Sequence, residues 1–308
     1  MPSELPLEKL RELFGDHLQE NVVMANYTTA HVGGPAAALI PVNSSVDLEK
    51  AARTLWNLKV PFRIIGSGAN ILFSDRGYPG AILVNHAHTI KIDSHSTPNS
   101  VWAESGANLG SLARQTAFRG LSGLEWAATI PGTLGGAIYG NAGAQAFDVA
   151  STLASVDILQ PSGMKETWKA ERFQFQYRSS ILKRERTGTI ILCGRFNLQP
   201  DEIKVIQARM DGFSDKRKSS QPAGASMGST FKNPPDDFAG RLIETAGLKG
   251  KRVGDVEVSP QHANFFVNTG KASAQDYYKL IRLVQQKVAE ASGIQLDLEI
   301  ELIGDFGE

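Results

Sequence analysis

"GLEWAATIPGTLGGAIYGNAGA", residues 123–144, carries six glycines and a single charge. It is too apolar for a linker and too rich in glycine for an ordinary helix. Pro131 is a helix-start signal, yet Gly135, Gly136, Gly140 and Gly143 would each cost about 1 kcal/mol relative to alanine inside a helix. Tight packing against a sheet, or a set of turns, explains any one of them. Six together point to bare backbone that lets N–H groups approach a phosphate or a flat ring.

A second stretch points the same way. "IIGSGANILFSD", residues 64–75, is a strand running into Gly66-Ser67-Gly68-Ala69-Asn70, a turn rich in N–H donors that could cradle a diphosphate. No Gly-Lys-Ser/Thr follows, so it is not a Walker loop, and the third glycine and helix of the dinucleotide fingerprint are missing. "SGAN" recurs at residues 105–108, again after a strand.

Composition narrows the classes around these loops. The chain has 308 residues, enough for two or three domains. Lys plus Arg and Asp plus Glu number 32 each, so no overall field draws in nucleic acid or an anionic membrane. The single cysteine, Cys193, lies in the apolar run Thr189-Ile-Ile-Leu-Cys and reads as a buried strand thiol. No basic leader with an apolar core opens the sequence, and no stretch approaches the roughly 18 apolar residues of a membrane span. A reducing, cytoplasmic setting is expected.

Helices and strands alternate along the chain. Residues 4–20 place Leu7, Leu10, Phe14 and Leu18 at helical spacing, and Ser44 or Ser45 can cap a helix through Leu48, Ala52, Leu55 and Trp56. Strands are predicted at 62–66, 81–84, 101–105, 152–160 and 188–198, with a helix between Asn108 and Gly120. A charged helix is expected from Asp201 to Lys218 behind Pro200, with a domain boundary near 200. Further helices are predicted at 236–246 and 273–291, then a strand in "QLDLEIELIG".

Three polar positions stand out. Arg178 sits in "FQFQYRSSILK", where a buried guanidinium would need an anionic partner and a solvated one would not. Ser229 lies in the loop "GASMGSTFKNPP", ahead of Lys232 and Asn233, with no nucleophile elbow and no evident histidine and carboxylate to activate it. Glu299 and Glu301 alternate with Leu298, Ile300 and Leu302. Either both faces of that strand are covered and one carboxylate is buried and functional, or one face is wet and both are surface charges. The six histidines show no zinc spacing.

Taken together, "GSGANILFSD", the glycine-rich segment, "YRSS", "GSTFKNP", "AGRLIETAGLKGKRVGDVEVSPQHANFFVNTG" and "LEIELIG" resemble, in order and over nearly the whole chain, the UDP-N-acetylenolpyruvoylglucosamine reductase (MurB) family. The resemblance implies an α+β chain with an FAD-binding fold of the vanillyl-alcohol oxidase type. Its two subdomains would occupy 1–88 and 89–200, followed by a substrate domain at 201–308, with the strand at 296–308 returning to the first. It implies an FAD-dependent oxidoreductase of peptidoglycan synthesis that reduces UDP-N-acetylglucosamine enolpyruvate with NADPH, as a monomer without nucleic-acid or membrane partners. Gly66, Ser67, Gly68, Ala69 and Asn70 would hold the diphosphate, and Ile130, Pro131, Gly132, Gly136, Asn141, Gly143 and Ala144 would line the cofactor. Some members of the wider superfamily tether flavin through a histidine in the first loop. Ala69 and Asn70 stand there, so FAD is expected to be noncovalent, and no metal is expected.

By the same resemblance Arg178 and Glu299 would stabilise an enolate and Ser229 would donate the completing proton, with Tyr177, Lys232 and Asn233 on the substrate. Gln145-Ala146 replaces the family's usual Tyr-Gly. The short interval from Arg178 to Ser229 implies the second, shorter subclass, without an inserted tyrosine-bearing loop. The rival expectations are a sugar or alcohol oxidase of the same fold and a noncatalytic binding module.

Overall fold

The computed structural model describes residues 5–307. Glu4, in the first expected helix, and Glu308, at the end of the last segment, lie outside them. Along the chain the helices are α1 (Leu7–Phe14), α2 (Ser45–Asn57), α3 (Leu109–Ala117), α4 (Leu134–Gly140), α5 (Ile181–Glu185), α6 (Ile203–Ser220), α7 (Ala239–Thr245) and α8 (Ala274–Ser292). With the strands between them they make an α+β chain. No helix among the described residues is long and apolar enough to cross a membrane.

Capping chemistry sets several of these ends. Ser44 accepts from the Asp47 N–H at 3.0 Å and Asn108 from the Ser111 N–H at 2.8 Å, starting α2 and α3. Ser273 starts α8 with a reciprocal capping box to Asp276. Gly15, at φ +52, stops α1 at Phe14. Leu18, part of the expected helix, therefore falls outside α1, and a strand, Gln19–Val23, follows.

Contacts divide the chain into two compact units. One comprises Ile40–Gly66 and Ile82–Arg217; the other comprises the chain through Leu39, Ser67–Ala81 and the chain from Lys218 onward. These units cut across the three consecutive blocks read from the sequence. The boundary near 200 falls instead at Arg217, because Ile206 and Met210 of α6 are buried in the core of the first-named unit. Arg209 of the same helix pairs with Glu125 at 2.8 Å and with Asp201 at 2.6 Å.

In that unit an antiparallel sheet runs in the order Lys165–Lys169, Leu153–Leu159, Ile190–Pro200, Asn99–Glu104, Ile90–Asp93. The first five residues of the central strand are buried, as an apolar run without alternation predicts. Burial, then the Asp157 carboxylate 3.0 Å from its sulfur, pushes the Cys193 thiol up to about 12. It is inert at neutral pH. Helix α4 packs on this strand, and a Cβ added to Gly194 would come 2.9 Å from Ile138 Cδ1 and 3.5 Å from Leu134 Cδ2. Gly194 thus admits the apolar side of α4.

The other unit carries an antiparallel sheet in the order Ala225–Ser229, Phe265–Asn268, Val256–Val258, Arg252–Val253. Leu242 and Ile243 of α7 and Tyr277, Leu280, Ile281 and Val284 of α8 are buried in its core. Ile71–Phe73 pairs in parallel with Glu301–Ile303. Only these last residues of the expected final strand join that ladder, because Glu299 N–H bonds Thr230 O at 2.9 Å and Lys232 N–H bonds Asp297 O at 2.8 Å. Glu299 and Glu301 are both partly buried, between the two alternatives read from the alternation. Gln19–Val23 pairs antiparallel with residues 35–39.

A buried carboxylate supplies one polar clamp. Glu104, 4% exposed, accepts from the Ser45 N–H at 2.7 Å and the Thr89 N–H at 2.9 Å. Burial alone would raise its pKa, but these donors outweigh it and hold the group below its ordinary 4.5. The contribution to stability is therefore present above about pH 4.5 and is lost as pH falls through the lower folded value. Glu104→Gln turns an NH2 toward one N–H and is expected to cost about 2 kcal/mol at neutral pH. Thermal melts of the two proteins should converge below the ordinary carboxylate range; equal melts at pH 7 would contradict the clamp.

Candidate active site

The glycines of residues 123–144 divide into two groups. A Cβ at Gly135 would lie 3.0 Å from Ser105 Cβ, and one at Gly143 would lie 2.4 Å from Phe147 O, so both are packing glycines. Around Gly132, at φ +133, and Gly140 nothing lies within 4 Å, and the nearest atom to Gly136 is Thr133 Oγ1 at 3.8 Å. Leu134, Ala137 and Ile138 are the buried residues of α4, so Gly136 and Gly140, four apart, share the side left bare. That bare face is fixed at its start. Gly135 N–H bonds Ser105 O at 2.7 Å, Leu134 N–H bonds Ala107 O at 2.9 Å and Leu109 N–H bonds Gly132 O at 3.1 Å. The second Ser-Gly-Ala-Asn thus holds the glycine segment in place. Gly66 approaches it too, since a Cβ there would lie 2.2 Å from Thr133 Oγ1. Pro131 is exposed and Ile130 packs against the core.

Beyond α4 the chain shapes the arginine. Asn141 closes the helix at φ +45, and its amide donates to Asp148 Oδ2 at 3.0 Å and Gln176 O at 3.1 Å and accepts from Ala150 N–H at 3.2 Å. With its side chain engaged by protein, Asn141 shapes the loops. Gly143–Ala144 pairs with Phe147–Asp148 across Gln145 and Ala146, both at positive φ. Gln176 and Ser179 exchange backbone hydrogen bonds of 3.0 and 3.1 Å around Tyr177 and Arg178. Arg178 occupies the left-handed region at φ +52, where glycine is usual, a strain of about 1–3 kcal/mol of the kind found at functional sites. Its Nη2 donates to Gly143 O at 2.6 Å, and its guanidinium carbon lies 5.1 Å from the centroid of the exposed Tyr177 ring. The fully buried Ser180 ties the turn back by donating to Tyr139 O at 2.7 Å. The partly buried guanidinium is thus aimed by a carbonyl of the glycine-rich segment.

The other unit holds the remaining candidates. Ser229 follows an irregularity in pairing after Ser226, with Gly228 at φ +75, and pairs with Phe265. It lines a cavity of about 390 Å³ with Asn233, Phe238, Arg241, His262 and Asn264. Asn233 Oδ1 also accepts from the Ala239 N–H at 3.0 Å at the start of α7. Glu299 is tied in through its backbone: its N–H bonds Thr230 O, and its carbonyl accepts from Asn70 Nδ2 at 3.0 Å. Asn70 therefore spends its amide on Glu299. Gly68, at φ +64, packs against the backbone of Tyr27, and Ser67 is exposed. Lys232 joins Ser229 through the same segment, anchored by its N–H on Asp297 O.

His262, Phe238 and Asn264 were not singled out from sequence. The only local signal is a histidine and an asparagine directly ahead of the apolar Phe265–Phe266 pair. Burial holds the His262 pKa below the ordinary imidazole value. Its Nδ1 accepts from the Asn264 N–H at 3.3 Å, so the neutral ring carries its proton on Nε2. Among the described residues no group of three or more His, Cys, Asp or Glu could hold a metal ion.

The FAD binding domain family matches residues 35–167, and the UDP-N-acetylenolpyruvoylglucosamine reductase C-terminal domain family matches residues 220–303. A Chloroflexus aggregans protein named UDP-N-acetylenolpyruvoylglucosamine reductase is 40% identical over 93% of this chain and 97% of its own length. A Streptococcus agalactiae protein of the same name is 36% identical over 96% and 97%. The crystal structure of the Thermus caldophilus reductase (MurB) superposes with a TM-score of 0.79 at 35% identity, covering 92% of this chain and 98% of that one. With both domain families matched in order and relatives aligned along nearly their whole length, the chain belongs to the UDP-N-acetylenolpyruvoylglucosamine reductase family.

Proposed function

We infer that the chain reduces UDP-N-acetylglucosamine enolpyruvate to UDP-N-acetylmuramate, with NADPH as reductant and FAD as bound cofactor, in peptidoglycan precursor synthesis. The observation that carries the inference is the bare side of α4, Gly136 and Gly140 with Gly132 before them, on the segment whose Gly143 carbonyl holds Arg178. Backbone free of Cβ atoms fits a flat ring, and no side chain of residues 130–144 supplies a competing charge. Ile130–Ala144 and Gly66–Asn70 would hold the cofactor without a covalent link. Bound there, FAD would supply two-electron, hydride-level chemistry between NADPH and the methylene carbon of the enolpyruvyl group.

The protein manages the charge and the proton. As hydride arrives, negative charge grows toward the substrate carboxylate, and the fixed fork of Arg178 offsets it better than a mobile ammonium would. Glu299 assists in holding the enolate. Ser229 Oγ gives its proton to the carbon bearing the carboxylate. A hydroxyl is a poor acid in water and becomes competent only within hydrogen-bond reach of a strongly basic enolate. Tyr177, Lys232 and Asn233 contact the sugar nucleotide. In this account residues before 200 hold FAD and residues 201–308 hold the substrate, in a cytoplasmic monomer of the shorter subclass that engages neither nucleic acid nor membrane.

Gly136→Leu tests the cofactor face. Leucine suits a helix better than glycine, so the apo-protein should melt no lower, while the flavin retained on purification should fall about tenfold by a simple steric loss of roughly 1.4 kcal/mol. Full flavin content would contradict the assignment. Ser229→Ala tests the proton: NADPH should still bleach the flavin at the normal rate, while return of colour with the enolpyruvyl sugar should slow by roughly 100-fold or more. Equal slowing of both halves would remove the role. Arg178→Lys should also slow the second half, since an ammonium does not reproduce a planar fork; an unchanged rate would exclude the enolate role.

A further inference from the structure

Building on the assignment of Ser229 as proton donor, we propose that Asn264 is the positioning residue that fixes this serine. Before Ser229 the chain is anchored at Ser226, whose carbonyl accepts from Thr29 Oγ1 at 2.7 Å, and by the buried Met227, but the last step to Ser229 is irregular. Pairing is irregular between Ser226 and Ser229, and Gly228 sits at φ +75 with nothing within 4 Å of the place a Cβ would take. Order is restored immediately afterwards by Asn264. Its backbone carbonyl accepts from the Thr230 N–H at 2.8 Å, its side-chain Oδ1 accepts from the Phe231 N–H at 3.0 Å, and its Nδ2 donates to Phe231 O at 2.8 Å.

Asn264 is 3% exposed, so water cannot replace these bonds. Its amide acts as one peptide unit of an added strand, offering one donor and one acceptor to the backbone of a single residue. Aspartate lacks the donor, glutamine is a methylene too long and leucine has neither group. Thr230 also bonds Glu299 through its carbonyl. The two residues after Ser229 are therefore held by Asn264, with Glu299 bonded to the first of them. Asn264 borders the same cavity as Ser229 without being required to touch substrate. A displacement of about 1 Å in a reacting group is enough to cost on the order of 100-fold in rate.

The test uses the flavin-loaded enzyme reduced anaerobically with NADPH, then mixed with UDP-N-acetylglucosamine enolpyruvate while the visible flavin band returns. Asn264→Ala should slow that return by roughly 100-fold and leave bleaching by NADPH unchanged. The double variant with Ser229→Ala should be no slower than Ser229→Ala alone, because a positioning residue has nothing left to position. Asn264→Asp should regain rate as pH falls, since a protonated carboxyl again offers one donor and one acceptor. Asn264→Ala should not. His262, with Glu244 and Arg241 on the same cavity, surrounds position 264 in both proteins, so their difference isolates the new carboxyl. Should Asn264→Ala fail to fold, the near-isosteric aspartate decides by its pH profile alone. Additive effects in the double variant, equal slowing of both half-reactions, or an aspartate variant that does not recover would each overturn the proposal. A normal rate for Ser229→Ala by itself would instead overturn the proton-donor assignment on which it stands.

Discussion

The two-sided character of α4 is the constraint on which the cofactor-facing part of the structure depends. One side places Leu134, Ala137 and Ile138 in the core, and Gly194 of the central strand has no side chain because the helix sits there. The opposite side carries Gly136 and Gly140, where the surroundings are open. A helix of seven residues with three glycines has little intrinsic stability. Packing on the sheet and three backbone bonds to residues 105–109 hold it. The same segment continues to Gly143, whose carbonyl accepts from Arg178, so the proposed cofactor face and the cation proposed to stabilise the enolate are set by one continuous piece of chain.

Backbone register plays the equivalent part in the other unit. Asn70 bonds the carbonyl of Glu299, Glu299 bonds Thr230, and Thr230 and Phe231 bond Asn264. This ladder holds the main chain at Glu299 and at the two residues that follow Ser229. Such an arrangement suits a reaction in which charge appears only after hydride transfer, because preorganised groups need not rearrange as it develops. It also agrees with a chain whose acidic and basic residues balance.

Much of this was legible from local chemistry. Ser44, Asn108 and Ser273 mark helix starts because a short polar side chain can satisfy the first free N–H groups, and each does so. Cys193 in an unbroken apolar run is buried as such a run predicts. The failures have a common cause in partners distant along the chain. The final strand reads as continuous because its alternation is local, whereas Asp297 and Glu299 are taken up by residues 230–232. The boundary near 200 follows Pro200, whereas Ile206 and Met210 commit α6 to the preceding core. Asn141 and Asn70 read as cofactor-binding positions from the resemblance, and the partners of their side-chain amides, Asp148 and Gln176 for the one and Glu299 for the other, are equally distant from local sequence. The role of Asn264 is not legible in the sequence, because an asparagine that imitates a strand is visible only once the strand it serves is in place.

The most direct measurement of the central claim is an anaerobic titration of the purified, flavin-loaded protein, followed in the visible flavin band. The account predicts that NADPH bleaches the band and that UDP-N-acetylglucosamine enolpyruvate then restores it without oxygen. A band that bleaches but ignores the enolpyruvyl sugar, recovering only in air, would contradict the account and make the protein an oxidase on the same fold.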